Sequence, residues 1–307
     1  LFDFIASLIM RKSDVLHGFA TFSLLSAIKQ KRRGGYFILE RACPHVLFQE
    51  NLLIEEAASI GVNYSKTNDY FVRRCMREYA LADKIIVPST YTLNTFIKHG
   101  IPADKLELVR LDSNISITPN NNYQKKRSEF IVGSVGGNPL RKGFIYLIDA
   151  WQKLGLVDAK LLLKTSESEL RKIPILWDKI KDDDSIEVIG YLDQIEDFYL
   201  ECDVFCLPSI DDGFGMVVFE ALACGKPVIS SENVGASELL EHGVTGFIIK
   251  NRDVHSLAKY ISRLYDDKNL LSSISKNALD FYESYQRSED SYEKSIEKVY
   301  LDIKRLF

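Results

Sequence analysis

The stretch Asp211-Asp212-Gly213-Phe214-Gly215-Met216-Val217-Val218-Phe219-Glu220-Ala221-Leu222-Ala223-Cys224-Gly225-Lys226-Pro227 constrains the fold of this 307-residue chain more than any other. An apolar run, Val204 to Leu207, precedes it and is closed by Pro208 and Ser209, the pattern of a buried strand ending in a turn. Two glycines then flank an aromatic, a helical pattern begins near Met216, and Gly225 with Pro227 stops it. Val228 to Ser231 reads as the next strand. Strand, glycine loop, helix and strand form one βαβ unit, in which the loop N–H groups and the positive helix end converge where a diphosphate fits. Asp212 and Glu220 border the same crevice at the strand ends, and their carboxylates can accept hydrogen bonds from paired sugar hydroxyls. The plainer reading of a Gly-x-Gly loop is a βα turn with two solvated acids.

The longer string favours the first reading. It resembles the acid-Gly-Phe-Gly-x4-Glu-Ala-x-Ala-x-Gly-x-Pro-Val signature of the family 4 (group 1) retaining glycosyltransferases, with Asp212 where the family usually carries the longer Glu. The likeness extends over nearly the whole chain and is densest over residues 130–249. It implies an α/β chain of GT-B fold, two Rossmann-like domains facing a cleft. Residues 1–125 would be a partial N-terminal acceptor-side domain, 126–285 the nucleotide-sugar donor domain, and 286–307 a helix returning toward the N-terminal domain. The implied reaction moves a sugar from a nucleotide-diphosphate-sugar donor to a glycan, lipid-linked or other hydroxyl acceptor, with retention of anomeric configuration. The donor is a substrate, and neither a cofactor nor an obligatory metal is expected. Two other readings stay open: a non-catalytic or truncated nucleotide-sugar-binding protein, and a sugar epimerase of the same fold.

Charge divides the chain unevenly. Residues 1–127 hold 18 Lys and Arg against 12 Asp and Glu, and the remainder 21 against 31, within a total of -4. A basic first half points to an anionic membrane surface or acceptor. Nucleic acid is not expected, because no aromatic-interleaved basic platform accompanies the charge. Five cysteines without metal-ligand spacing suit a reducing cytosol, and peripheral contact with the cytoplasmic membrane face is compatible with it. Residues 1–10 are apolar but interrupted by Asp3 and too short to span a membrane. The chain opens in mid-pattern without Met, so the opening strands of the family's N-terminal domain are expected to lie outside it.

Taken in order, residues 1–10 have helical spacing and Asp14-Val15-Leu16-His17 is a short strand. The family has a similar Asp-Val-x-His segment, which would put His17 at a strand's C-terminal end, facing the interdomain cleft. The helix over 22–31 ends in Lys29, Lys31, Arg32 and Arg33, which its dipole suffices to explain, with a lipid-docking patch as the alternative. Tyr36 to Leu39 is a strand running into Glu40-Arg41-Ala42-Cys43-Pro44-His45, a pattern similar to that of a subset of the family. Charge at the end of a buried strand makes Arg41 and His45 substrate-binding candidates, unless Arg41 pairs with Glu40 or a helix acid. A helix over 70–81, a strand over 84–87, a helix over 90–99 and a strand over 105–109 follow, then a polar linker over 114–127.

Strands are expected at 130–135, 160–164 and 186–189, with helices at 144–154 and 195–202. Arg141 and Lys142 precede the second-domain helix where two cations oppose its dipole unless an anion arrives. In the family an Arg and a Lys here grip the donor diphosphate. Ser134 stands where that Arg is often found, so Arg141 would substitute, and Gly137 in the intervening loop is counted among the donor contacts. Tyr191 and Leu192 would wall the donor base, and Gly213, Phe214, Gly215, Met216 and Val217 would line the sugar diphosphate. Glu238 either approaches the donor or caps a helix with Ser237. Amphipathic helices close the chain over 253–265, 270–285 and 291–307.

Overall fold

The computed structural model describes residues 1–112, 125–288 and 291–305. They form two compact units, one of residues 1–110 with the chain from Tyr292 onward, the other of residues 111–291. The chain thus passes between units after Arg110 and after Ser291, where the sequence suggested 125 and 285. Leu111 packs against the second unit's core, and Gln286, past the expected end at 285, donates to the Tyr282 hydroxyl at 3.1 Å.

The first unit contains α1 (Phe2–Ile9), β1 (Val15–Phe19), α2 (Leu24–Arg32), β2 (Tyr36–Glu40), α3 (Val46–Ser59), α4 (Asp69–Leu81), β3 (Lys84–Val87), α5 (Thr90–Lys98) and β4 (Leu106–Leu108). Its four strands lie in chain order and pair in parallel, with His17 opposite Ile38 and Ile85 opposite Leu106. Strand side chains alternate between faces. Phe37, Leu39, Ile85 and Val87 pack with Tyr79 and Phe96 in one cluster, whereas Ile38 and Ile86 belong to another. The helix α3 was not evident from the sequence, because charged residues interrupt its apolar positions Val46, Leu53 and Ala57.

The second unit contains β5 (Phe130–Val135), α6 (Phe144–Leu154), β6 (Ala159–Lys164), α7 (Glu167–Arg171), α8 (Pro174–Ile180), β7 (Ile186–Ile189), α9 (Ile195–Glu201), β8 (Val204–Leu207), α10 (Met216–Ala223), β9 (Val228–Ser231), β10 (Gly246–Ile249), α11 (Val254–Asp266) and α12 (Lys268–Gln286). Its strands are parallel in the order β10-β9-β8-β5-β6-β7. The order reverses at β5, flanked by β6 on one side and β8 on the other. Loops leaving the C-terminal ends of β5 and β8 therefore diverge around one crevice. A last helix, α13 (Tyr292–Lys304), belongs to the first unit and completes its second cluster with Val299 and Ile303.

Most of the expected linker, residues 113–124, lies outside the described residues. Lys125 and Arg127 are anchored to the second unit, Lys125 to Asp203 and Arg127 through both nitrogens to Glu187 at 2.7 and 3.0 Å.

Candidate functional site

The crevice at the strand-order reversal brings Lys142 and Asp212 together from loops 70 positions apart. The two loops are tied by the Ile210 N–H donating to the Arg141 carbonyl at 2.9 Å. Lys142 keeps 7% of its surface exposed and crosses Gly136, where a Cβ would stand 2.3 Å from the lysine Cγ. Only glycine leaves room for that stem. The ammonium donates to Asp212 Oδ2 at 2.5 Å. It carries three N–H donors, and the other two have no protein partner among the described residues.

Asp212 is held by its backbone, whose N–H donates to the Asn233 carbonyl and whose own carbonyl accepts from the Gly235 N–H, both at 3.0 Å. Gly215 then caps α10 with φ +82°, a left-handed conformation that side chains disfavour. One turn farther into α10, half-buried Glu220 accepts a hydrogen bond from the Tyr199 hydroxyl at 2.5 Å. Burial raises the Glu220 carboxyl above the usual range, against the Tyr199 hydrogen bond and the Lys142 charge, which favour its ionised form. Lys142 therefore stands in direct contact with one acid and in the field of the other. A polyanion arriving here meets a fixed cation, the N–H groups of the α10 start and two acceptors suited to hydroxyls.

The remaining donor candidates divide by exposure. Arg141 is partly exposed, and its N–H is held by Asn138 Oδ1 at 3.0 Å. Gly137 is exposed with open space around it, Met216 is exposed and Val217 half-buried. Tyr191 is 86% exposed, and the half-buried Leu192 packs against the core. Phe214 differs: its ring is buried and stacks with Phe219 at 5.4 Å, so only its backbone can face the crevice. Gly213, like Phe214, can offer main-chain groups alone. Ser237 and Glu238 lie in a 3₁₀ turn over Gly235–Leu239, with the serine hydroxyl on Ser230 Oγ at 2.7 Å.

Sequence reasoning missed Tyr199 and the hydroxyls of Thr165 and Ser209, and placed Ser134 only where the family often carries an Arg. Ser134 at the end of β5, Thr165 just past β6 and Ser209 beyond β8 have buried hydroxyl oxygens without a partner among the described residues. Their common position at the C-terminal sheet edge was the available signal. Tyr199 left none, because its pairing with Glu220 spans 21 positions.

The first unit holds the other three candidates apart from this crevice in sequence and from one another in role. His17 lies within β1 rather than at its end. Its Nδ1 is 2.6 Å from the Tyr300 hydroxyl and its Nε2 is 3.2 Å from Glu40 Oε2, which also accepts from the Tyr292 hydroxyl at 3.0 Å. Arg41 is 7% exposed and has no carboxylate within ion-pair distance among the described residues, since Glu40 turns to His17. The neighbouring helix acid, Glu78, is occupied by Arg74 and the Thr21 and Ser23 N–H groups. His45 is fully buried, its ring stacked on His99 at 4.3 Å and set against Tyr79 and Phe96. No surface of it is open to a substrate, and its position is that of a core side chain. No group of three or more His, Cys, Asp or Glu among the described residues is arranged to hold a metal ion.

Comparison with known proteins follows the same division. The family described as "Glycosyl transferases group 1" matches residues 118–281, just over half of the chain. The N-acetyl-alpha-D-glucosaminyl L-malate synthase of Bacillus anthracis is 30% identical over 149 residues, covering 48% of this chain and 39% of that protein. The capsular polysaccharide biosynthesis glycosyltransferase CapM of Staphylococcus aureus is 28% identical over 191 residues, covering 59% and 50%. The chain thus spans half or less of the length of these relatives. Among solved structures, Anabaena Alr3699/HepE in complex with UDP is similar with a TM-score of 0.76 and 20% identity, covering 98% of this chain and 80% of that one. The fold is accordingly GT-B, built of two Rossmann-like units.

Proposed function

The chain belongs to the group 1 glycosyl transferases, and on that premise we propose that it transfers a hexose from a nucleotide-diphosphate sugar to a hydroxyl of a glycan or lipid-linked acceptor, with retention at the anomeric carbon. The observation that carries this reading is the buried Lys142–Asp212 pair with Glu220 and the start of α10 beside it. Lys142 and Arg141 neutralise the diphosphate as the bond from its oxygen to the anomeric carbon breaks and charge develops on it. The acceptor hydroxyl forms the new bond on the same face of the sugar, and its proton leaves with the departing diphosphate. Main-chain N–H groups from Gly213 to Gly215 add donors, with Met216 and Val217 beside them. Asp212 orients the sugar, and Glu220 accepts from the ribose hydroxyls while Tyr199 fixes its rotamer. Gly137, Tyr191 and Leu192 border the donor, Leu192 and Tyr191 at its base. His17, held between Tyr300 and Glu40, serves the acceptor side.

We place the reaction in polysaccharide assembly on the cytoplasmic side of a membrane, without a metal. In support, all five cysteines are unpaired and three are buried, and no helix among the described residues is long and apolar enough to cross a membrane. A thermal-shift panel of nucleotide-diphosphate sugars tests the donor reading, because a ligand of the folded state raises the melting temperature. One nucleotide sugar should give a clear shift, and Glu220→Ala should abolish it. An unchanged shift in the variant would remove Glu220 from the pocket. Transfer or donor hydrolysis then separates an enzyme from a binding protein: a tight donor with no turnover on any hydroxyl acceptor would leave binding alone.

A further inference from the structure

Lys142 carries its counter-ion with it. The lysine and Asp212 side chains keep only 9% and 12% of their surface exposed, and the ammonium donates to Asp212 Oδ2 at 2.5 Å. Neither residue can easily draw away. The Asp212 N–H and carbonyl are bonded to Asn233 and Gly235, both at 3.0 Å, and the lysine stem lies across Gly136. The carboxylate also stands at the start of α10, since a Cβ on Gly215, the residue that caps this helix, would be 3.7 Å from Asp212 Cγ. An anion drawn to Lys142 and to the first N–H groups of α10 therefore comes to rest beside a fixed negative charge.

Two anions sharing one cation in a largely dry site repel each other, and at separations of a few ångströms this is worth about tenfold or more in affinity. A bare diphosphate has only oxygens to set against the carboxylate and cannot relieve the repulsion. A sugar can. Asp212 Oδ1 has no partner among the described residues, so sugar hydroxyls can donate to it, and such charge-assisted bonds offset the repulsion.

Building on the sugar-transfer reading above, we propose that Asp212 is a specificity-determining residue that selects the sugar-bearing donor against its own nucleotide product. As the counter-ion of Lys142 it holds down the affinity for any diphosphate that lacks a sugar, and as a hydroxyl acceptor it restores the affinity for one that carries it. Discrimination thus comes from a repulsive element that only the right ligand satisfies. Once the sugar has passed to the acceptor, the nucleoside diphosphate faces the Asp212 charge without compensation and leaves.

Isothermal titration of the whole chain tests the assignment with inorganic diphosphate and with UDP-glucose, UDP-N-acetylglucosamine, GDP-mannose and ADP-glucose, each beside its own nucleoside diphosphate. In the parent chain a nucleotide sugar that binds should do so at least about tenfold more tightly than its nucleoside diphosphate. Asp212→Asn keeps the shape of the side chain and removes its charge. It should tighten inorganic diphosphate and the nucleoside diphosphate about tenfold, and reduce the preference for the sugar-bearing form to about threefold or less. Asp280→Asn makes the same charge change at an exposed position of α12 and should leave inorganic diphosphate within about twofold of the parent value. Equal affinity of the parent chain for a nucleotide sugar and its nucleoside diphosphate, or unchanged inorganic diphosphate binding in a folded Asp212→Asn variant, would overturn the proposal. The parent comparison needs no substitution and keeps the proposal open to refutation if Asp212→Asn fails to fold. If none of the nucleotide sugars binds, the sugar-transfer reading falls and the selection with it; if they bind without preference over their nucleoside diphosphates, the selection alone falls.

Discussion

His45 precedes α3 with both ring nitrogens buried and unpartnered among the described residues. Burial, the adjacent His99 and the charge of Arg41 push its pKa down to about 4 from an ordinary 6.5. Between those values the unfolded chain holds more protons than the folded one, so this residue's contribution to stability falls as pH drops from 6.5 toward 4. At pH 5 the loss is about 2 kcal/mol. His45→Phe keeps a ring in the stack and removes the titration, so urea unfolding at pH 7 and pH 5 should differ by less in the variant than in the parent chain. Lys142 and Glu220 became candidates through loop chemistry together with the family resemblance. The burial of His45 and Phe214 was not, because a strand end or a glycine loop does not reveal which side chains turn inward.

At the scale of elements, α10 and the loop before it carry the donor reading. Gly215 sits at φ +82°, and a Cβ there would stand 2.6 Å from Val234 Cγ1. Gly215→Ala should therefore cost about 1–3 kcal/mol in backbone strain, with repacking in addition. It should also rotate the first N–H groups of α10 away from the crevice. The expected result is a lower melting temperature together with a loss of the nucleotide-sugar shift; a lower melting temperature with a full shift would mean that those N–H groups do not touch the donor. Strand and helix limits such as Phe130–Val135 and Phe144–Leu154 could be read from the chain, since apolar periodicity and glycine stops are local. The helix α3 escaped that reading, because its buried Glu56 interrupts the apolar face.

For the whole molecule, the return of α13 to the first unit has the largest consequence. Val299 and Ile303 are buried against Ile38, Ile86 and Val109, and Tyr292 and Tyr300 of the same helix hold Glu40 and His17. Val299→Asp places an unpaired charge in that cluster at a cost of several kcal/mol. Protease sensitivity should rise within residues 1–110, while the melting-temperature shift caused by a nucleotide sugar persists, because the donor residues all belong to the second unit. Loss of that shift in the variant would show that the donor crevice depends on the first unit's stability.

By itself the sequence determined the βαβ rhythm and the glycine loop before α10, because strand period, helix stops and loop chemistry are written in neighbouring residues, and with the family resemblance it made Lys142, Asp212 and Glu220 candidates. The tertiary structure decided what depends on long-range pairing. It set the strand order that reverses at β5 and so joins Lys142 to Asp212. It set Glu40 beside His17 and the Tyr292 hydroxyl, so that buried Arg41 has no carboxylate at ion-pair distance among the described residues. Partners drawn from elements as far apart as β2 and α13 are chosen by packing, and no local pattern in the chain encodes that choice.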